Sequence, residues 1–347
     1  MEPFVFLAQW KELNLRLKQF SVFPLWGAAE VYPPENADLV LISRKTEDKN
    51  FNQDLRAVSR VLDFSAYVIA NRHSWESKDL TPALASLEDV LTRSAARPTS
   101  TPEEKTRRET KGKYTAREVS GDTVRLALPD GHQQQPAIQL LNKAGIRIDD
   151  YPSASGNRRP TSSLDGVAIK VIRPQDMPLQ VANGNFDLAV TGRDWLTEHL
   201  NQFPASPVAE LLDLKFGGVR IVAVIGQDPP ISDISGLKQF YTERATPIRV
   251  ASEYVNIADK YARDNHLGFY RVIPTWGATE AFLPEDADLL IENTQTGRTL
   301  ARHNLRIIDT LFESTARLIG NKNSAASPIK RKRIKSITET LRRAVVE

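Results

Sequence analysis

Short apolar runs alternate with amphipathic segments through the last two-thirds of the chain. Runs with the length and β-branched content of buried strands include "TVRLALP", "DGVAIKVIR", "DLAVTG", "GVRIVAVIG", "PIRVASE", "YRVIPT" and "ADLLIEN". Segments with apolar residues at helical spacing lie between them, among them "QQPAIQLLNKAGI", "PQDMPLQVANGN" and "RDWLTEHL". The alternation predicts an α/β fold of mostly parallel sheets with helices on both faces. Ligands of such sheets bind at the carboxyl ends of the strands.

The beginning of the chain repeats its end with a constant offset of 250 residues, so that Gly27 corresponds to Gly277. Eleven of the eighteen positions from 22 to 39 are identical in the two copies. The correspondence continues without a gap, and we interpret residues 1–96 as a partial repeat of residues 251–346.

A linker separates the partial repeat from the rest of the chain. Residues 97–120 are rich in Pro, Thr, Glu, Lys and Arg and contain almost no large apolar side chains. We therefore expect the core of the protein to begin near residue 121.

A polar loop, Thr294–Thr299, follows the apolar run "ADLLIEN" and precedes a helical pattern. Gly297 allows the backbone to come close to a ligand, and successive N–H groups at a helix start attract anions. Thr296 and Thr299 add hydroxyl donors, and Arg298 adds a positive charge. The pattern favours a phosphate-binding loop, but an ordinary helix start with a threonine cap fits it as well.

Composition excludes several kinds of site. The chain has no cysteine, so disulfides, thiolate zinc sites and cysteine nucleophiles are absent. Its five histidines lack the spacing of metal ligands, and we expect no structural metal. No long apolar run and no secretory leader is present, which predicts a soluble, cytoplasmic protein without membrane contact.

The net charge of +3 does not change the predicted class of protein, because the basic residues concentrate in two segments, the linker and "IKRKRIKSITETLRR". Tyr114 is the only aromatic residue among these charges. We interpret the first segment as a solvated linker and the second as the exposed face of an amphipathic helix, rather than as a nucleic-acid surface.

The order of motifs resembles the ATP phosphoribosyltransferases that open histidine biosynthesis. Six segments follow that family in sequence: "RLALPDGHQQQPAIQLLNKAGI", "VIRPQDMPLQVANGNFDLAVTGRDWL", "LLDLKFGGVRIVAVI", "ASEYVNIADKY", "WGATEAFLPEDADLL" and "TQTGRTLARHNL". The resemblance is to the short form of the family and implies an α/β core with two lobes of the type II periplasmic-binding-protein kind. It implies lobe I in residues 121–210 and 290–326, lobe II in 211–289, and a C-terminal basic helix in 327–347.

The resemblance also implies the binding sites. The implied binding site of phosphoribosyl pyrophosphate consists of the polar loop and the two residues before it, namely Glu292, Asn293, Thr294, Gln295, Thr296, Gly297, Arg298 and Thr299. At this strand end the family usually has an aspartate, whereas this chain has Glu292 and Asn293. The implied binding site of ATP lies in lobe I and consists of Asp130, Gly131, His132, Arg159, Arg173 and Asp194. The first three residues replace a Lys-Gly-Arg loop of the family, and we expect nearby arginines, with Arg158 or Arg159 joining Arg173, to supply the missing charge.

The implied reaction is displacement of pyrophosphate from C1 of the sugar by N1 of the adenine ring, which gives phosphoribosyl-ATP. Mg²⁺ would be carried by the pyrophosphate, and no nucleophilic side chain is required. Glu280 and Arg298 are the candidates for a direct catalytic role. The implied partners are ATP, phosphoribosyl pyrophosphate, further copies of the chain in a homo-oligomer and a regulatory subunit that resembles histidyl-tRNA synthetase.

The N-terminal repeat lacks the phosphate-binding loop. The positions that match Thr296–Leu300 read Thr46, Glu47, Asp48, Lys49 and Asn50, and two carboxylates there would repel a phosphate. We expect the repeat to dock on the core and to affect subunit association rather than chemistry. Two functions stay open: a working phosphoribosyltransferase with a degenerate partial repeat, or a non-catalytic paralogue that binds nucleotide or assembles with a true enzyme.

Overall fold

The computed structural model describes residues 22–43, 55–58, 61, 76–77, 79, 81, 121–154, 156–228, 230–324 and 327–346. The linker at 97–120 and the positions Thr46–Asn50 therefore lie outside the described residues. The chain divides into two compact units, and the unit formed by Phe23–Asn52 and Glu118–Glu347 contains every element discussed below.

Lobe I is built on a five-stranded sheet of order β4-β1-β5-β12-β6. Strands β1, β4 and β5 are parallel, and β12 runs antiparallel to both β5 and β6. The central strands are buried on both faces, as their continuous apolar runs predict. The strands are β1 (Val124–Pro129), β4 (Val167–Ile172), β5 (Leu188–Gly192), β6 (Val208–Asp213) and β12 (Ala316–Asn321), beside a small pair of β2 (Ile148–Asp149) and β3 (Thr161–Ser162).

Helices cover both faces of this sheet. Helices α1 (Gln134–Lys143) and α7 (Pro328–Val346) pack on one face, where Leu141 and Leu341 join the core. Helices α2 (Met177–Ala182) and α3 (Arg193–Gln202) pack on the other. Most basic residues of α7 are exposed, as the amphipathic pattern predicts. Among the described residues, no helix is long and apolar enough to cross a lipid bilayer.

Lobe II has a second five-stranded sheet, of order β11-β7-β10-β8-β9. Strands β8, β9 and β10 are parallel, whereas β7 runs antiparallel to β10 and β11. The strands are β7 (Val219–Gly226), β8 (Ile248–Ser252), β9 (Tyr270–Pro274), β10 (Leu289–Thr294) and β11 (Leu305–Ser314), and the helices are α4 (Ile234–Arg244), α5 (Val255–Asp264) and α6 (Arg298–Arg302).

The predicted return of the chain to lobe I near residue 290 is wrong. Strands β10 and β11 belong to the second sheet, and the chain rejoins the first sheet only at β12. The two crossings run side by side: the Leu214 amide donates to the Ala316 carbonyl at 2.9 Å, and the Ala316 amide donates to the Phe216 carbonyl at 2.8 Å. Apolar periodicity identifies a strand, but it does not show which of two sheets the strand joins.

Candidate functional site

The polar loop between β10 and α6 is anchored at both ends and exposed in the middle. Thr294 and Leu300 are buried, and the Thr294 hydroxyl accepts a hydrogen bond from the Gly297 amide at 3.0 Å. Gln295, Thr296, Arg298 and Thr299, which lie between these anchors, are exposed. The loop therefore presents its donors and its guanidinium group to solvent from a fixed base.

Gly297 has a φ of 73° and is the N-cap residue of the five-residue helix α6. The alternative of a threonine cap is therefore wrong, because the cap position holds a residue with no side chain. A Cβ atom at Gly297 would meet no heavy atom within 4 Å. Glycine is needed here for its left-handed backbone conformation, and not for lack of space.

Three carboxyl groups lie beside this loop. Burial, with a smaller contribution from the charges of Glu253 and Glu280, raises the pKa of Glu292 to about 7. Hydrogen bonds from the Asn293 amide, at 2.9 Å, and from the Thr279 hydroxyl act in the opposite direction and lower it. The candidate Glu280 thus lies close to the strand end that carries Glu292. Among the residues the structure describes, no group of three or more acids, histidines or cysteines is arranged to hold a metal ion.

Asp194 lies at the junction of the two lobes. The side chain is 6% exposed, and its two oxygens accept hydrogen bonds from the Ser314 and Tyr254 hydroxyls, both at 2.7 Å. The Asn293 amide group in turn donates to the Tyr254 hydroxyl at 3.1 Å. Both Asp194 oxygens thus have partners within the protein, and the residue reaches the polar loop through Tyr254 and Asn293.

Helix α3 supplies two more contacts between the lobes that the sequence reasoning missed. The Glu198 carboxylate accepts hydrogen bonds from the Asn256 and Ile257 amides, each at 2.8 Å, and so caps helix α5. Trp195 packs on Tyr254 with ring centroids 4.5 Å apart. The spacing of Asp194 and Glu198, one turn apart on a helix, is the sequence feature that could have indicated this junction.

The net charge around the loop after β1 is positive, although the loop contains an aspartate. One Asp130 oxygen lies 2.6 Å from Arg158 and 3.7 Å from Arg173, and the other accepts a hydrogen bond from the Gly131 amide at 2.8 Å. Two guanidinium groups against one carboxylate leave one positive charge at this strand end. His132 follows in an exposed turn.

Arg159, in contrast, has its partners in residues 31–35. Its guanidinium group donates to the Val31 carbonyl at 2.9 Å and to the Pro33 carbonyl, and it pairs with Glu35 at 3.3 Å. The structure therefore brings Asp130, Gly131, His132 and Arg173 together, whereas Arg159 has its partners in residues 31–35 and Asp194 is bonded to Ser314 and Tyr254. The adjacent Arg158 is the residue that joins Arg173 at Asp130.

Comparison with known proteins identifies close relatives of this chain. It is 33% identical over 232 residues to an ATP phosphoribosyltransferase of Chlorobium phaeovibrioides, a match that covers 65% of this chain and 73% of the relative. It is 34% identical over 224 residues to an ATP phosphoribosyltransferase of Chlorobium chlorochromatii, with 64% and 71% of the two chains covered.

A solved structure supports the fold. The ATP phosphoribosyl transferase (HisG:HisZ) complex from Thermotoga maritima matches with a TM-score of 0.52 and 22% identity, over 64% of this chain and 98% of the solved chain. This likeness is consistent with the two-lobed α/β core of the type II periplasmic-binding-protein kind that the sequence predicted.

The family model of ATP phosphoribosyltransferase (HisG) matches residues 173–343, which run from the end of β4 to the last turns of α7. The match includes the anchored polar loop and all of lobe II. From this match and from the identity with its relatives, the chain belongs to the ATP phosphoribosyltransferase family.

Proposed function

We propose that this chain catalyses the first step of histidine biosynthesis, in which N1 of ATP displaces pyrophosphate from phosphoribosyl pyrophosphate to give phosphoribosyl-ATP. Family membership supports the reaction class. The observation that carries the proposal for this chain is the loop Thr294–Thr299, whose exposed hydroxyls and guanidinium group stand on a buried base.

The polar loop is the proposed site of phosphoribosyl pyrophosphate. Its backbone N–H groups and the hydroxyls of Thr296 and Thr299 suit phosphate oxygens, and Arg298 adds charge-assisted hydrogen bonds. Glu292 favours this assignment because a carboxyl group with a pKa near 7 is only partly ionised at neutral pH and repels a phosphate less than an ordinary glutamate would.

The Asp130 loop of lobe I is the proposed site of the ATP phosphates. Its local charge, from Arg158 and Arg173 against Asp130, is positive. Gly131 has a φ of 75°, and a Cβ atom at this position would meet no heavy atom within 4 Å. A backbone of this kind lets a phosphate approach closely.

The chemistry needs positioning and charge neutralisation rather than a covalent intermediate. The two loops would hold the two anionic substrates, and Arg298 would stabilise the negative charge that develops on the departing pyrophosphate. Mg²⁺ enters as part of the pyrophosphate substrate and shields its charge. We assign Glu280 the role of orienting a sugar hydroxyl through its carboxylate.

The alternative of a non-catalytic paralogue is not favoured, because the relatives described above carry the name of the enzyme. The Thermotoga maritima structure is a complex of two named proteins, which supports a regulatory subunit as a partner of this chain. We propose that this partner is the subunit resembling histidyl-tRNA synthetase, that the chain forms a homo-oligomer and that it acts in the cytoplasm.

The test is release of pyrophosphate by the full chain mixed with ATP, phosphoribosyl pyrophosphate and Mg²⁺. We expect release only when both substrates are present. The variant with Thr296→Ala and Gly297→Val should release none, because a hydroxyl donor and the left-handed backbone are both lost. Equal release by this variant and the unmodified chain would contradict the assignment of the loop.

A further inference from the structure

The N-terminal segment, which we define as residues 22–43, docks on lobe I of its own chain. Val31 and Tyr32 are each 2% exposed and belong to a core that includes residues of β1, β4, β5, α2 and α3. The Glu35 carboxylate lies 2.6 Å from the ammonium group of Lys170, a buried residue of β4. The buried apolar side chains hold the segment on this face of the sheet, and the ion pair determines its register.

The backbone at Trp26 is anchored beside the proposed ATP site. The Trp26 amide donates to both oxygens of Asp176, at 3.0 and 3.3 Å. A Cβ atom at Gly27 would lie 3.6 Å from the Nε atom of Arg173. Asp176 and Arg173 both belong to the connection between β4 and α2, so this part of the segment rests on the connection that carries one cation of the Asp130 loop.

The Trp26 ring extends from this anchor to the core of lobe II. Trp26 is 37% exposed, and its ring centroid lies 5.7 Å from that of Trp195 on α3. Trp195 packs in turn on Tyr254 at 4.5 Å. Trp195 and Tyr254 are 8% and 1% exposed and belong to the same core in lobe II. Trp26 therefore reaches a buried side chain of the other lobe through a single intervening ring.

The path continues from Tyr254 to the polar loop. The Asn293 amide group donates to the Tyr254 hydroxyl at 3.1 Å. Asn293 directly precedes Thr294, whose hydroxyl accepts from the Gly297 amide at 3.0 Å. Because packed rings restrict one another, loss of the Trp26 ring gives Trp195 and Tyr254 room to shift. A shift of the Tyr254 hydroxyl would loosen the hydrogen bond that holds Asn293.

We propose that Trp26 is a positioning residue for the phosphoribosyl pyrophosphate site, and that it acts through Trp195, Tyr254 and Asn293. The inference rests on the function proposed above for the polar loop. The N-terminal repeat, which has carboxylates where a phosphate would bind, thus contributes to the site of the core by holding a stack of rings in place.

The docked position, rather than the shared motif, gives Trp26 this role. Trp276 is its counterpart at the offset of 250 and has the same following Gly-Ala, yet it is 76% exposed. The fold does not depend on complete burial of Trp26 either, because a third of its surface is exposed. Removal of the ring should therefore change the site more than the fold.

The experiment is titration calorimetry of the full chain with phosphoribosyl pyrophosphate and Mg²⁺, and separately with ATP. Trp26→Ala should weaken binding of phosphoribosyl pyrophosphate at least threefold. It should change the affinity for ATP less than twofold, because the backbone amide on Asp176 and Gly27 beside Arg173 are retained. Trp26→Phe, which keeps an aromatic ring, should restore the affinity for phosphoribosyl pyrophosphate to within twofold of the unmodified chain.

Two controls separate positioning from a general loss of structure. Val31→Ala removes buried methyl groups from the same segment but keeps the rings, so it should lower stability in urea and leave the affinity for phosphoribosyl pyrophosphate within twofold. In the second, Trp26→Ala is added to Tyr254→Phe. It should cause no further loss of affinity, because the hydrogen bond through which Trp26 acts is already absent.

The proposal is overturned if Trp26→Ala binds phosphoribosyl pyrophosphate like the unmodified chain, if it loses affinity for ATP equally, or if its effect adds to that of Tyr254→Phe. Should Trp26→Ala fail to fold, Trp26→Leu, which is apolar but lacks the ring, takes its place in each comparison.

Hydrogen exchange without ligand distinguishes this inference from the proposed function. If the unmodified chain does not bind phosphoribosyl pyrophosphate, the assignment of the loop fails, and the exchange rates then decide the role of Trp26. Amides of residues 293–299 should exchange at least threefold faster in Trp26→Ala than in the unmodified chain or in Val31→Ala. Equal rates in the three proteins would show that Trp26 does not position the loop.

Discussion

Glu292 is the residue whose ionisation would change the charge of the proposed phosphate site near neutral pH. Burial is the main cause that raises its pKa from 4.5 to about 7, and nearby Glu253 and Glu280 contribute. The family pattern has an aspartate near this strand end, where this chain has Glu292. The sequence shows this difference but not the raised pKa of the side chain. The effect depends on burial and on two carboxylates from other parts of lobe II, which sequence spacing does not bring together.

We expect the affinity for phosphoribosyl pyrophosphate to fall as pH rises through 7, because the ionised Glu292 repels the ligand. Glu292→Gln should reduce this dependence, and titration calorimetry at pH 6 and pH 8 measures it. The comparison is made between the two proteins at each pH, so that ionisation of the ligand itself cancels. An identical pH dependence in both proteins would show that Glu292 has no influence on the site.

The same shift affects stability. The folded pKa lies above the unfolded value, so the contribution of Glu292 is fully present below pH 4.5 and is lost as pH rises to about 7. At pH 8, Glu292→Gln should therefore raise the free energy of unfolding by about 1–2 kcal/mol, after allowance for partial access of water. Urea denaturation should show less than half of this gain at pH 5. An equal gain at both pH values would refute the shifted pKa.

Tyr254 connects the buried Asp194 to Asn293, the residue just before the polar loop, and Tyr254→Phe breaks that connection. The loss of hydrogen bonds to Asp194 and Asn293 should lower the free energy of unfolding by about 1–3 kcal/mol. It should also weaken binding of phosphoribosyl pyrophosphate, because Asn293 loses its fixed position.

Tyr261→Phe is the matched control. Tyr261 lies in α5, and its hydroxyl donates to an oxygen of Asp309, a residue of β11, at 2.8 Å. This variant should be destabilised without a loss of affinity for phosphoribosyl pyrophosphate in calorimetry. If the two tyrosine variants bind the ligand equally well, Tyr254 has a structural role only.

At the scale of elements, the strands and helices were largely predictable, since each apolar run of the sequence corresponds to a strand of one of the two sheets. The assignment of β10 and β11 to the second sheet was not predictable from the sequence, because it depends on the pairing of both strands with β7. The engagement of Arg159 with residues 31–35 was also missed, since adjacent arginines have the same local pattern and differ only in the face they occupy.

The loop between β10 and α6 depends on one left-handed residue. Gly297→Ala should weaken binding of phosphoribosyl pyrophosphate at least tenfold, because a Cβ atom at a φ of 73° shifts the loop backbone. Gly268→Ala is a matched control in lobe II, with a φ of 72° and the same open surroundings. It should cost a similar stability of about 1 kcal/mol and leave the affinity unchanged. If the two variants bind phosphoribosyl pyrophosphate with equal affinity, the loop is not part of its binding site.

The junction between the lobes relies on a helix cap. Glu198→Ala leaves the first amides of α5 without the carboxylate that accepts from Asn256 and Ile257. We expect the free energy of unfolding to fall by about 1–2 kcal/mol in urea denaturation. Glu198→Gln, which retains an acceptor oxygen, should recover part of this loss. A full loss in the glutamine variant would mean that charge, and not capping, stabilises the junction.

For the whole molecule, two sheets joined by paired crossings place the polar loop of lobe II and the Asp130 loop of lobe I on the same compact unit. The family could be recognised from six motifs in order. The contact of residues 22–43 with lobe I could be expected only in outline, because the repeat predicts a docking segment without showing which face it buries.

The central claim is that this chain joins phosphoribosyl pyrophosphate to ATP through the loop Thr294–Thr299. The most direct measurement is mass spectrometry of the nucleotides formed by the full chain, with the proposed regulatory subunit added in a parallel reaction. We expect phosphoribosyl-ATP from the unmodified chain and from Gly268→Ala, and at most a trace from the variant with Thr296→Ala and Gly297→Val. No phosphoribosyl-ATP from the unmodified chain in either reaction, or equal amounts from the loop variant, would contradict the account.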